Sequence, residues 1–81
     1  MITVLFFASI REQLDIDRLE CATAASVSAL IDALVRERGD RWSEILRARN
    51  VIVAVNQEIV EIDFALRSGD EVAFFPPVTG G

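Results

Sequence analysis

Ser26-Val27-Ser28-Ala29-Leu30-Ile31-Asp32-Ala33-Leu34-Val35-Arg36-Glu37-Arg38-Gly39 is the stretch on which the fold turns. Val27, Leu30, Ile31, Leu34 and Val35 recur at i, i+3, i+4, i+7 and i+8, a complete apolar stripe at the helical period. Ser26 has the side chain that caps a helix N-terminus. Arg36 and Arg38 fall in the last turn, where positive charge suits the helix dipole. Gly39 supplies the stop. The spacing predicts one amphipathic helix over Val27–Arg38, with a single apolar face that must be buried against something else.

Strand-like segments flank it on both sides. Ile2 to Ala8 is apolar and mostly β-branched or aromatic, the composition of a buried strand. Ser9 to Leu14 reads as a short helix or turn. Arg18 to Ala22 alternates polar and apolar residues and forms a second strand, joined to the first as a hairpin-like unit with a long connection. After the helix, Arg41 to Leu46 reads as another short helix, with Trp42 and Ile45 or Leu46 turned inward. Val51 to Asn56 is a strand, Asn56-Gln57-Glu58 a turn, and Ile59 to Ile62 the returning strand. Leu66 to Asp70 is a turn with Gly69 in place. Glu71 to Phe75 is the last strand, ended by Pro76 and Pro77, which cannot donate to a ladder. One main helix covers only one sheet face. The expected fold class is therefore α+β: a β-grasp, or ubiquitin-like, five-stranded mixed sheet with one main helix plus short helices. The domain is expected over residues 1–75, with 76–81 an extended, flexible C-terminal tail ending in Gly-Gly.

Composition narrows the function. A chain of 81 residues with 52% hydrophobic residues, against roughly 45–50% in typical domains with glycine counted, can build a dense small core without staples. One cysteine rules out an intrachain disulfide, and the lack of histidine removes the commonest metal ligand and acid–base group. No metal site is expected. A net charge of −5 argues against nucleic acid and anionic membranes as partners. No apolar run approaches a membrane span, the N-terminus lacks a signal-peptide pattern, and a single free thiol suits a reducing compartment. A cytoplasmic location is expected. No phosphate loop or paired-carboxylate motif stands out, so a free-standing enzyme is not. Asp70-Glu71 reads as turn and strand edge, and Cys21 as a core thiol sharing parity with Leu19. All eight basic residues are arginine. Biased codon usage would do this; so would chemistry in which an activated C-terminus must meet no amine of its own.

Strand parity identifies an open face. Thr3, Glu61 and Glu71 are polar markers that point Leu5 and Phe7, Ile59, and Ala73 and Phe75 away from the helix. Ile2, Val4, Phe6, Val72 and Phe74 take the helix side. Unless the Arg41–Leu46 helix or a loop covers it, a face with two phenylalanines and two aliphatic residues marks a protein–protein contact. The tail adds chemistry. Two terminal glycines occur by chance in only about one chain in 200. Glycine threads a narrow channel and leaves its carbonyl open to attack, and the prolines favour an extended stem.

Three segments carry a family resemblance: Leu5-Phe6-Phe7-Ala8-Ser9-Ile10-Arg11-Glu12, Val53-Ala54-Val55-Asn56-Gln57, and Gly69-Asp70-Glu71-Val72-Ala73-Phe74-Phe75-Pro76-Pro77-Val78-Thr79-Gly80-Gly81. Together they resemble the ubiquitin-like sulfur-carrier family to which the small subunits of molybdopterin synthase belong. The resemblance implies a part in molybdenum cofactor biosynthesis, with no cofactor bound by the chain itself. An E1-like adenylyltransferase would consume ATP to form a glycyl adenylate at Gly81. A sulfurtransferase or cysteine desulfurase system would convert it to a thiocarboxylate (1-thioglycine). The tail, Pro76, Pro77, Val78, Thr79 and Gly80, would carry Gly81 into the large synthase subunit, in a heterotetramer of two small and two large subunits. Sulfur would pass there to cyclic pyranopterin monophosphate. Phe7, Arg11, Ile59 and Phe75 match positions the family uses for docking; position 59 is often leucine in relatives. A thiazole-forming sulfur carrier of thiamine synthesis, a ubiquitin-like modifier of target lysines, and a plain interaction domain remain the alternatives.

Overall fold

The computed structural model describes residues 1–77. Their order is β1 (Ile2–Phe6), α1 (Ala8–Leu14), β2 (Arg18–Cys21), α2 (Val27–Arg38), α3 (Asp40–Leu46), β3 (Ile52–Val55), β4 (Glu58–Val60) and β5 (Glu71–Phe75). The strands form one sheet in the order β2-β1-β5-β3-β4. β1 and β5 pair in parallel, Thr3 opposite Glu71 and Phe6 opposite Phe74. The other three pairings are antiparallel. This is the β-grasp architecture expected from the sequence.

α2 has the predicted bounds, and its first turn shows why. Ser26 Oγ accepts from the Ala29 N–H at 3.1 Å. The Val27 and Ser28 N–H groups donate to the carbonyls of Phe64 and Ile62, at 3.1 and 2.7 Å. The orphan donors of a helix start are thus met by one side chain and one crossing loop. At the other end Gly39 takes φ +102°, a conformation costly for any residue with a Cβ. Its N–H returns to Val35 O and its carbonyl accepts from Trp42 N–H. One glycine therefore stops α2 and starts α3.

That loop also explains a difference from expectation. The returning strand covers Glu58–Val60, not Ile59–Ile62. Asn56 and Gln57 both take left-handed φ, +50° and +73°, the backbone of a two-residue hairpin turn whose twist matches the strands. Pairing therefore resumes at Glu58, opposite Val55. Beyond Val60 the carbonyls of Ile62 and Phe64 serve α2 instead of a ladder. β1 is shorter than predicted for a related reason. Phe7 leaves the strand to begin α1, and Ala8 takes φ +52°.

The core lies between the sheet and the helices. Ile2, Val4, Phe6, Val72 and Phe74 are essentially buried, against Val27, Leu30, Ile31 and Leu34 of α2. Phe6 stacks on Phe74 with ring centroids 5.8 Å apart and lies T-shaped to Trp42 with centroids 5.4 Å apart. Arg38 lies over the outer face of Trp42, 5.0 Å from its centroid. α3 therefore packs on the helix side through Trp42 and Leu46 and leaves the other sheet face uncovered. Asn56 and Asp70 tie the β3–β4 turn to the start of β5. Asn56 Nδ2 donates to Asp70 Oδ1, and the Glu71 N–H donates to Asn56 Oδ1, both at 3.0 Å.

Candidate functional site

The uncovered face is a hollow of ≈ 540 Å³ lined by Leu5, Phe7, Ile52, Ala54, Gln57, Ile59, Glu71, Ala73 and Phe75. Its shape follows from residue size. Ala54 and Ala73 are direct partners on the inner strands β3 and β5, and their methyl groups make a floor. Larger residues form the rim. Phe7 and Phe75 stand side by side, rings 4.6 Å apart and 5° from parallel. Ile59 on the edge strand β4 is 77% exposed. The parity markers Thr3 and Glu71 thus point as expected, and Leu5, Phe7, Ile59, Ala73 and Phe75 come together. Sequence reasoning missed Ile52, Ala54 and Gln57. β3 is apolar at every position, so nothing in its sequence marks which face each residue takes; the structure puts Val53 and Val55 in the core cluster and Ile52 and Ala54 on the open face.

Arg11 is not brought to the hollow. It is exposed on α1 and lines a separate recess with Glu12, Asp15, Ile16 and Asp17. Pro76 is half-buried and Pro77 exposed. Both lie over a shallow groove with Ser9, Ile10, Gln13, Glu44, Ile45, Ala48 and Val51. The stem therefore leaves from the strand that carries Phe75, at the edge of the hollow. Val78, Thr79, Gly80 and Gly81 lie outside the described residues.

The chemistry of this surface is apolar association. Glu71 is the one ionisable group in its lining, and among the described residues no cluster of His, Cys, Asp or Glu could hold a metal ion. No helix among them is long and apolar enough to cross a membrane. Cys21 sits on the opposite side. It pairs with Ile2 on the edge strand β2 and packs against the core, yet it is half-buried where the sequence suggested a core thiol. An edge strand has a neighbour on one side only. Partial burial raises the thiol pKa above its ordinary value, and the Glu37 carboxylate adds to this. The thiolate, the nucleophilic form, is correspondingly scarce. Asp70 is held in the opposite direction: the Arg67 N–H and the Asn56 amide donate to its carboxylate and lower its pKa.

Comparison with known proteins agrees with this geometry. A model of the ThiS family matches residues 4–81. The chain is 44% identical over 81 residues to the molybdopterin synthase sulfur carrier subunit of Escherichia coli (strain K12), covering 100% of each. It is 37% identical over 81 residues to the protein of the same description from Haemophilus influenzae, again covering 100% of each. Among solved structures it is similar to a chain in the complex of subunits 1 and 2 of the molybdopterin-converting factor from Helicobacter pylori 26695. The TM-score is 0.69 at 26% identity, with 99% of this chain and 97% of that chain covered.

Proposed function

This chain belongs to the ThiS family, and from that premise we propose that it is the sulfur carrier of a molybdopterin synthase, docking through its open face and delivering sulfur from Gly81. The observation that supports this most directly is the uncovered apolar hollow beside the strand that leads into the stem. It gives a partner a large apolar contact, and Pro76 and Pro77 line a separate groove.

The cycle follows from carboxylate chemistry. A carboxylate oxygen of Gly81 attacks the α-phosphorus of ATP held by an E1-like adenylyltransferase, and pyrophosphate leaves. The persulfide of a sulfurtransferase or desulfurase attacks the acyl carbon, AMP leaves, and a thiol reductant cleaves the resulting acyl disulfide to the thiocarboxylate. The resulting thiocarboxylate is a nucleophile at neutral pH. In the large synthase subunit its sulfur bonds to a carbon of cyclic pyranopterin monophosphate as an oxygen substituent leaves that carbon, and water then cleaves the acyl–sulfur bond and restores the carboxylate. Two rounds give the dithiolene. Within this cycle the chain contributes position. Phe7, Ile59 and Phe75 anchor the docked state, and Pro76 and Pro77 set the stem's departure. Arg11 lies in a recess apart from this anchor, and a docking role for it rests on the family resemblance alone.

The test is intact mass after incubation with ATP, the cognate adenylating enzyme and a sulfur donor. Exchange of one oxygen for sulfur supports the carrier. A ladder of protein adducts would point to a modifier instead, and no change would leave a bare interaction domain. Binding of the large subunit, followed by assay of dithiolene formation, separates a molybdopterin carrier from a thiazole-forming one.

A further inference from the structure

Pro76 and Pro77 follow β5 directly. Neither has an N–H to donate, so no ladder carries the sheet's alignment into the stem. Each proline confines the residue before it to extended backbone, but that basin is still broad, about ±40° in φ. The direction in which the stem leaves the domain is therefore left to packing, and the structure supplies it. Pro76 is half-buried although it lies beyond the last strand. It and Pro77 share a groove with Ile10 and Gln13 of α1, Ile45 of α3, and Ala48 and Val51 of the turn after α3. The walls of this groove are themselves held. Ile10 is buried in the core. The Phe7 N–H, just before α1, donates to Phe74 O at 3.1 Å, which ties α1 to the strand that continues into the stem. Arg41 Nη2 donates to Gln13 O at 2.9 Å and straps α3 to the end of α1. Trp42 and Leu46 bury one side of α3. Ile45 packs partly against the same core and partly lines the groove. The Val51 N–H donates to Ala48 O at 3.3 Å and closes the turn.

We propose that α1, α3 and the turn after α3 form a seat for Pro76 and Pro77 that fixes the direction in which the stem leaves the domain, and that Ile45 and Ala48 are positioning residues for sulfur transfer. The proposal deepens, and rests on, the reading of this chain as a sulfur carrier. Its physical content is preorganisation. A stem free to sweep the extended basin has to be ordered each time the carrier docks, whereas a seated stem lost that freedom when the domain folded. Transfer rate is steep in placement, since a shift of about 1 Å can cost on the order of a hundredfold. Docking affinity is set elsewhere: among the described residues, the hollow and the groove share no lining residue. A groove that served stability alone would shift the melting temperature of its variants and leave the transfer step of the docked, folded carrier untouched.

The test uses the full chain with a thiocarboxylate at Gly81, made by intein cleavage with sulfide, so that no adenylating enzyme is needed. Ile45→Ser weakens the seat, Ile45→Val preserves it, and Ala48→Asp sets a charge against the prolines. Ala48 is exposed, so Ala48→Asp keeps the test available if Ile45→Ser does not fold; circular dichroism verifies each variant. Nuclear Overhauser contacts from the Pro76 and Pro77 ring protons to the Val51 methyl groups should be present in the parent and in Ile45→Val, and lost in the other two. Sulfur transfer to cyclic pyranopterin monophosphate is then followed in a single turnover at saturating large subunit. Ile45→Ser and Ala48→Asp should transfer at least about tenfold more slowly than the parent, with unchanged affinity for the large subunit in calorimetric titration, and Ile45→Val should recover the parent rate. A parent chain without the Val51 contacts would overturn the proposal. So would folded Ile45→Ser and Ala48→Asp carriers that transfer at the parent rate, or whose only defect is affinity. A parent thiocarboxylate that docks and transfers no sulfur would instead sink the proposed function, and the positioning role with it.

Discussion

Phe74 and Phe75 are adjacent in sequence and face opposite ways, so replacing each with alanine separates docking from folding. Phe74 is fully buried and stacks on Phe6. Phe-to-Ala at such a site costs about 3–5 kcal/mol. An 81-residue domain has a total stability of only about 4–12 kcal/mol, at roughly 0.05–0.15 kcal/mol per residue. Phe74→Ala should therefore remove a large share of that stability, and essentially all of it at the lower end of the range. Phe75 is half-buried, and its ring lies against Phe7 at the rim of the hollow. It loses a stacking term of about 0.5–1.5 kcal/mol and part of its apolar transfer, in a site open to solvent that can relax. A cost of about 1–2 kcal/mol, or on the order of 10 °C in melting temperature, is expected. Docking should suffer more, because truncating a central interface aromatic costs about 2 kcal/mol or more, a loss of about thirtyfold in affinity. Urea unfolding gives the first quantity and calorimetric titration of the large subunit the second. If Phe75→Ala unfolds as readily as Phe74→Ala while affinity for the large subunit is unchanged, Phe75 is core and the face is not the docking surface.

Three further outcomes follow from the same geometry. Cys21→Ala should leave the ATP-dependent oxygen-to-sulfur mass change intact, since Cys21 lies on the helix side of an edge strand with its pKa raised; loss of that change in a folded variant would assign the sulfur chemistry to the thiol. Deleting Gly81, or extending the chain beyond it, should preserve fold and docking because the last core residue among those described is Phe74, yet abolish dithiolene formation: deletion retracts the acyl carbon by about 3.5 Å, where about 1 Å can cost on the order of a hundredfold in rate. Dithiolene synthesis by an extended protein shown by mass to be unprocessed would end the thiocarboxylate reading. Asp70, whose pKa is lowered from 3.8, should add stability that is complete above that value and lost as pH falls through its lower folded pKa, so the parent should lose its margin over Asp70→Asn only in that acid window; a margin unchanged across it would show that the carboxylate's hydrogen bonds do not matter.

Where one local signal decided a segment, the sequence was sufficient. The α2 stripe with its Ser26 cap and Gly39 stop left no competing reading, and β5 is bounded by Gly69-Asp70 and Pro76. The segments that shifted are those whose ends depend on distant partners. β4 stops at Val60 because the carbonyls of Ile62 and Phe64 are taken by α2, and no pattern within 58–64 announces that. β1 stops at Phe6 because Ala8 adopts positive φ to start α1. Parity found the rim of the hollow because the polar markers Thr3 and Glu71 sit on β1 and β5; Glu61, the marker for Ile59, lies beyond the end of β4. Parity missed the floor because β3 is apolar on both faces, and an Ile-Val-Ala-Val run carries no marker. Arg11 came from resemblance alone, and the structure sets it in a recess of its own.

The stability of this domain and its docking surface share one register. Phe6 opposite Phe74 on parallel strands puts the core stack on the helix side. The same alignment carries Phe7 and Phe75, one residue further along each chain, into contact on the other side. The Phe7 N–H donates to Phe74 O at 3.1 Å, so the backbone bond that closes the pairing also seats the outer pair. A slip of β5 by one residue against β1 would send Phe74 to solvent and bury Phe75, breaking both aromatic stacks. It would abolish the core, as well as the site. The open face is therefore held in place by the energy of the buried one, and a partner meets a surface whose aromatic pair was positioned when the domain folded.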